Sequence, residues 1–322
     1  MEQGLKWLEI RPAGEEDAPH IVALYNLQER DMVPLTVARY RSESAEESGE
    51  KGGERHVALQ AGRLVGYGSC RWAWWTGQPG IYSMELRVAP SHARQGIGTR
   101  LFEQMRARLA LWKAARLVGW IRADSEEGLR FAARLGCHET GQVIQEYRMA
   151  LADAATNAYP GLEARLLGEG LRFVSLAELG NTDEAFLHAL QRLWADSGAS
   201  SPDPDLLPNS FESWRQQVLL APGLTPDTHW IALEGERPVG MTFLKRLSDD
   251  AFENDYTGVA STHRGRGIAT ALKRCAISWA QQQGARWFYT SSEIGNQAMI
   301  TVNTRLGYRP GVQRQEFARD LP

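Results

Sequence analysis

Arg264-Gly265-Arg266-Gly267 sets two guanidinium groups and two glycines directly before a run, Ile268 to Lys273, that reads as a helix. That arrangement suits an anion. The first N–H groups of a helix have no intrahelical partner, and the helix dipole adds partial positive charge there. Glycines let the backbone approach phosphate oxygens without a Cβ in the way, and arginines add charge and forked donors. The stretch reads equally as a tight turn that starts a buried helix. Two familiar phosphate loops do not fit. A Walker loop needs a Gly-Lys-Ser/Thr ending, and the dinucleotide fingerprint needs a third glycine. The sequence has Thr270 where that third glycine belongs, and Leu101 in an earlier, similar loop.

That earlier loop, "PSHARQGIGTRLF" (Pro90–Phe102), belongs to a duplication. Gly96 and Gly267 lie 171 residues apart, as do His92 and His263, and Cys137 and Tyr308 at the ends of "RLGC" and "RLGY". "VALQAGRLVG" (Val57–Gly66) resembles "IALEGERPVG" (Ile231–Gly240) at an offset of 174. A period of this size indicates two domains of common plan rather than a solenoid. Each copy opens with a strand (Leu8–Arg11; Arg172–Leu176) and an amphipathic helix (Ala18–Gln28; Thr182–Trp194), followed by a hairpin. A strand then leads into the glycine loop: "IYSMELRV" in the first copy, "ENDYTGV" in the second. The helix after it carries Ile97, Leu101, Met105 and Leu109, or Ile268, Leu272, Cys275 and Trp279, at helical spacing. Another strand, a short helix ending in "LG" and a last strand complete each copy. The expected class is α/β (α+β), with a mixed central sheet flanked by helices in each domain. The expected organisation is residues 1–152, a linker and connecting helix over 153–170, and residues 171–322.

With its surroundings, the second loop resembles motif A of the GNAT superfamily of N-acetyltransferases, Gln/Arg-x-x-Gly-x-Gly/Ala. Arg264, Gly267 and Ala269 fill its three specified positions. Downstream, Thr290, Asn296, Met299, Asn303, Leu306, Gly307 and Tyr308 match a second family pattern, with Ser292 replacing one of its asparagines. The second half is most similar to tandem members of the mycothiol-synthase type. The resemblance implies acetyl-CoA as co-substrate, no metal, and direct attack of a small-molecule amine on the thioester in a ternary complex. Acetylation of a protein N-terminus or lysine is the alternative within the fold. A regulatory module that holds acyl-CoA without turnover is the alternative in another class. The cofactor residues so implied are Val259, whose N–H would face the oxyanion, then Arg264, Gly265, Arg266, Gly267, Ile268, Ala269, Thr270, Asn296 and Asn303. In the first copy they are Val88, Arg94, Gln95, Gly96, Gly98 and Thr99.

Direct attack needs a group to take the amine proton. The family often places a Glu six residues before the last Val of the strand, here Glu253, with Asp255 as second candidate. Strand alternation puts Glu253, Asp255, Thr257 and Val259 on one face. The matching residues of the first copy are Tyr82, Met84, Leu86 and Val88, with Glu85 and Arg87 pointing the other way. Ala93 also replaces the motif's first Arg or Gln. The second copy therefore reads as catalytic and the first as degenerate. The family's usual tyrosine for the leaving thiolate is missing, since Asn303 and Ala132 hold its places; unassisted departure and substitution by Tyr256 or Tyr289 are the alternatives, and Tyr308 reads as core.

Composition sets the bounds. The chain has 322 residues, 43% hydrophobic and 23% charged, with net charge −3. That gives no general drive toward nucleic acid or anionic membranes. Cys70, Cys137 and Cys275 have neither redox nor metal-ligand spacing. No leader pattern or membrane-length apolar run stands out, so a cytoplasmic location is expected; oligomeric state stays open. Ser42–Glu54 reads as an acidic, mobile, solvated loop, with a substrate lid as the alternative. Cys70–Gly80, rich in Trp, reads as a packed hairpin, a contact between domains or an aromatic wall for a substrate. Ser197–Pro208, with Asp203 and Asp205, reads as a solvated loop near the amine site.

Overall fold

The structure, a computed structural model, describes residues 8–29, 31–46, 53–76, 78–155, 157–180, 182–198 and 210–321. Its contacts divide into two compact units. The first holds Met1–Trp74, Gln78–Gly141 and Gln315–Pro322; the second holds Trp75–Gly77 and Gln142–Arg314.

In the first unit, β1 (Leu8–Pro12), β2 (Gly53–Gln60), β3 (Arg63–Trp72) and β4 (Ile81–Val88) run antiparallel in that order, and β5 (Arg116–Arg122) pairs parallel to β4. Alternation divides its core. Val57 joins Ile21 and Leu24 of α1 (Ala18–Gln28). Ala58 joins Ile97, Leu101, Met105 and Leu109 of α3 (Ile97–Leu111), the stripe read from the sequence. α2 (Val37–Glu46) packs on α1, and α4 (Glu126–Arg134) follows β5 in the chain. Ser42–Glu46, expected in a mobile loop, are the last turns of α2, and Gly53–Glu54 open β2; residues 47–52 lie outside the described residues. The Trp-rich segment splits into the end of β3 and a short 3-10 turn, Trp74–Thr76.

The second unit holds β7 (Leu171–Ser175), β8 (His229–Glu234), β9 (Arg237–Ser248), β10 (Ala251–Val259) and β11 (Trp287–Glu293), together with β6 (His138–Ala150) from Gln142 and β12 (Arg309–Asp320) as far as Arg314. β7, β8, β9 and β10 are antiparallel neighbours, β11 lies parallel to β10, and β6 pairs antiparallel with β11 from Ile144 to Ala150. The helices are α5 (Leu162–Gly168), α6 (Leu176–Leu179), α7 (Glu184–Gly198), α8 (Phe211–Trp214), α9 (Ile268–Gln282) and α10 (Gln297–Leu306). On one sheet face α9 covers Leu244, Phe252 and Phe288; on the other, α7 and α8 cover Ile231, Met241 and Phe243. The units divide inside β6 and β12, whereas the sequence places the break near 152. Strand pairing follows matching edges, and here residues 142–150 of the first copy match β11 of the second.

The buried face of α9 differs from the expected stripe. Ile268 and Leu272 are buried as read, but Cys275 and Trp279 are half-buried, and Ala271, Ala276, Ile277 and Ala280 are the deeper residues. Lys273 lies among them, 1% exposed. Burial pushes its amine down to about 7 from 10.5. No described helix is long and apolar enough to cross a membrane.

The lowered amine has a consequence for stability. Its charged form is disfavoured in the fold, so the penalty is complete below pH 7 and lifts as pH rises toward the unfolded value. Lys273→Met should therefore stabilise the chain below pH 7, by roughly 3 kcal/mol or more, with the advantage shrinking toward pH 10. Chemical denaturation at pH 6 and pH 9 checks this; an equal or larger gain at pH 9 contradicts it.

Candidate active site

At the end of β10 the chain turns through Ser261–His263 and enters the glycine loop. Gly265 has φ +75° and Gly267 φ +88°, left-handed values that favour glycine. Gly267 is required twice over, because a Cβ there would lie 2.8 Å from Leu162 Cδ1 of α5. A Cβ on Gly265 would meet nothing within 4 Å, so this side of the loop is open. The first helical bond runs from Ala271 N to Gly267 O, which leaves the N–H groups of Ile268, Ala269 and Thr270 ahead of it. The side chains of Ile268 and Thr270 are buried, so these residues offer their backbone alone.

The two arginines do different things. Arg264 donates from Nε to Val259 O (3.4 Å) and from Nη2 to Asp196 O at the end of α7 (3.2 Å). Asp196 in turn accepts the Ser261 N–H (2.7 Å), which, ahead of its other causes, holds its carboxyl below the usual range. Arg266 turns to Glu169 (2.9 Å) and Glu234 (3.5 Å). Arg165, which sequence reasoning missed, donates to Arg266 O (2.6 Å). It lies in α5, far from the motif in sequence, and only packing brings it under the loop.

Expected alternation along β10 fails at Asp255. Asn254 pairs with Leu244 and Tyr256 with Phe243, so Asp255 is an extra residue, a β-bulge. Glu253 pairs with Lys245, on the face of Tyr256 and Phe243. Val259 and Asn254 are on the α9 face, where Val259 packs by Ile268. Glu253, Asp255, Thr257 and Val259 therefore do not share one face: Glu253 takes the α7 side, Asp255 occupies the exposed bulge, and Thr257 and Val259 take the α9 side. Beyond the bulge, β10 and β11 part. Their pairing stops at Asn254 with Thr290. Ala260 N donates to Val239 O (2.9 Å), so Ala260 belongs to a hydrogen-bonded pair and its neighbour Val259, opposite Gly240, to a non-bonded one. The Val259 N–H consequently points away from β9, toward the side that β11 has left. By the same alternation, so does that of Thr257.

A polar knot spans the bulge. Asn254 donates from Nδ2 to Thr242 Oγ1 (2.6 Å), Tyr256 O (3.1 Å) and Phe243 O (3.2 Å). Its Oδ1 accepts from Thr257 Oγ1 (3.1 Å) and from Lys273 Nζ. On the Glu253 face, Tyr256 stacks on Trp194 (3.9 Å between centroids) and shares a hydrogen bond with Ser197 Oγ (2.5 Å). Burial pushes the Tyr256 hydroxyl up to about 12, and it raises that of Tyr289 as well. Asn296 is the N-cap of α10, accepting from Met299 N (3.1 Å). Asn303 is fully buried, donates to Ser292 Oγ (3.1 Å), and faces the core. Tyr308 is core, as read. Asp203 and Asp205 lie outside the described residues. Among the described residues no three or more of His, Cys, Asp and Glu come together as a metal ion would need.

In the first unit the same plan is altered. Gly96 keeps its left-handed turn (φ +80°), and Arg94 holds φ +63° where the second copy has Gly265. Gln95 and Thr99 are exposed, and a Cβ on Gly98 would touch Phe131 at 3.2 Å. β4 is unbulged, so Met84, Leu86 and Val88 pack toward α3 and leave Glu85 and Arg87 on the other side, as read. The Val88 carbonyl accepts from Gln28 Nε2 (2.8 Å), the task Arg264 performs for Val259. β4 and β5 separate after Ser83 with Val118. Past that point Glu29, 4% exposed, links Arg87 of β4 (3.1 Å) to Arg122 of β5 (3.3 Å), and Glu85, Asp31 and Asp124 surround the arginines.

Comparison with known proteins agrees with this plan. The acetyltransferase (GNAT) family matches residues 21–137 and 186–308. Mycothiol acetyltransferase of Corynebacterium glutamicum is 27% identical over 232 residues, 70% of each chain. That of Corynebacterium efficiens is 23% identical over 271 residues, 80% of this chain and 78% of the relative. Among solved structures, a GCN5-related N-acetyltransferase from Sphaerobacter thermophilus superposes with a TM-score of 0.73 at 19% identity, covering 98% and 96% of the two chains. A tandem GNAT protein from the clavulanic acid biosynthesis pathway gives 0.73 at 17%, covering 97% and 98%. With family matches in both halves, over two glycine loops and two parting strand pairs, this chain belongs to the acetyltransferase (GNAT) family as a tandem member.

Proposed function

We propose that the second unit transfers an acetyl group from acetyl-CoA to the amine of a small molecule, by direct attack within a ternary complex. The observation that carries this reading is the Val259 N–H, aimed into the space between β10 and β11 beside the glycine loop. Residues present fit the pyrophosphate: the N–H groups of Ile268, Ala269 and Thr270 lie ahead of the first helical bond, and Gly265 leaves the approach open. Bound acetyl-CoA supplies the thioester carbonyl. The Val259 N–H stabilises charge on its oxygen as the amine adds, Glu253 takes the proton from the amine on the α7 face, and the carbon–sulfur bond then breaks, coenzyme A leaving as its thiolate. Curated relatives named mycothiol acetyltransferase favour a small-molecule acceptor over a protein.

The first unit takes a supporting part. Glu29 there joins both strand ends through Arg87 and Arg122, and Tyr82, Met84, Leu86 and Val88 offer no base.

Two measurements test the reading. Thiol release with an amine panel should fall by roughly 10²-fold or more in Glu253→Gln; unchanged turnover removes Glu253 as the base. Acetyl-CoA binding, followed by calorimetry, should weaken more in Gly267→Asp than in Gly96→Asp. Equal losses would assign a cofactor site to each half.

A further inference from the structure

Lys273 is the fully buried charged side chain in the second unit's core, in a place where methionine or leucine would pack. Its Nζ donates to Asn254 Oδ1 and lies 5.4 Å from the centre of the Tyr308 ring. No neighbouring charge contributes to its lowered amine; burial is the whole cause. A buried amine costs stability, so it stays in a fold at the expense of a simpler core. What it touches indicates its use. Asn254 is the last residue of β10 that pairs with β11, and Asp255 is the bulge. The Asn254 amide ties Phe243 O on β9 to Tyr256 O beyond the bulge, and Thr242 Oγ1 donates to the same Tyr256 carbonyl (2.7 Å). Thr290 of β11 holds the Asn254 carbonyl (2.9 Å). Lys273 fixes which way the Asn254 amide faces. An ammonium or amine bound at Oδ1 leaves the Nδ2 hydrogens for those carbonyls.

We infer that Lys273 and Asn254 are positioning residues: together they hold the bulge in register, and the bulge aims the Val259 N–H at the reacting carbonyl while keeping Glu253 on the opposite face. The inference rests on the acetyl-transfer reading of this site. It assigns to a core lysine a part in turnover and none in holding the cofactor. The equivalent residue of the first unit is Phe102, buried in an apolar core beneath the unbulged β4.

The test is the full-length chain carrying Lys273→Met. Acetyl-CoA KM should change less than threefold, because the glycine loop is untouched. kcat should fall by about 10²-fold, the scale of a misplacement near 1 Å at a reacting centre. Amide exchange at Tyr256 and Gly258, whose N–H groups face β9 past the bulge, should quicken at least tenfold while exchange in α9 does not. Thr242→Val, which removes the hydroxyl that links Asn254 to Tyr256 O and also meets Thr257 Oγ1, should give the same pattern at about tenfold in kcat and tests the bulge independently of the lysine. Wild-type kcat with unchanged exchange at Tyr256 and Gly258 overturns the inference, and so does a loss confined to acetyl-CoA KM. If the wild-type chain releases thiol with no amine, the acetyl-transfer reading fails instead. The exchange comparison alone then decides whether Lys273 holds the bulge.

Discussion

A strand that gains one residue loses phase with its neighbour, and in this chain the loss at Asp255 organises the site. Before the bulge, β10 is bonded on both sides. After it, the residues facing α9 and α7 exchange places, and the backbone groups of Thr257 and Val259 turn to the side β11 has left. Backbone polar groups inside a sheet normally find partners there. Here the divergence of two parallel strands keeps a short row of them available next to the N-terminus of α9. The glycine loop, the end of α7 and α5 are then arranged around that row. Arg264 spans from Val259 to Asp196, and Arg165 holds the loop carbonyl from below.

The two copies show what that arrangement requires. Each has a strand ending in Val, a carbonyl there served by a side-chain donor, and a left-handed glycine at the start of a buried helix. They part company at Gly258 and its counterpart Arg87. Gly258 has no room for a side chain, since a Cβ would lie 2.4 Å from Ser197 Oγ. Arg87 instead extends to Glu29 and Glu85. Where one unit keeps backbone exposed to the gap, the other joins its strands through ion pairs of side chains. Ala93 is understandable in this light: Gln28, reaching from α1, already serves the carbonyl that an arginine at that position would reach.

Much of this was legible in the sequence, because it is local or periodic. The duplication follows from offsets, the helix starts from Gly96 and Gly267, and the α3 stripe from steps of four. The bulge was not legible. Alternation is the only phase a sequence displays, and Asn254-Asp255-Tyr256 looks like any three strand residues until Leu244 and Phe243 are seen opposite. Arg165 and Glu169 were missed because their relation to the loop is tertiary. Lys273 left a trace that was passed over. Steps of three, four and seven from it reach Ala276, Ile277 and Ala280, all buried, which places a lysine on an apolar face. The family pattern also suggested ligand contacts for Asn296 and Asn303; their places, one capping α10 and the other buried, are set by packing that the pattern does not display.

The exchange of final strands makes the sequence duplication and the folded units unequal partitions of the molecule. Residues 142–150 are written in the first copy, yet they cover the edge of β11 in the second unit. A gene cut at the linker would leave that edge bare, with its row of N–H and C=O groups open to pairing with other chains. Residues 315–321, written in the second copy, belong in turn to the first unit, so neither copy can be shed without taking a strand segment from the other. The first copy, which lacks acids where the second has Glu253 and Asp255, is thereby retained by topology, whatever its own chemistry.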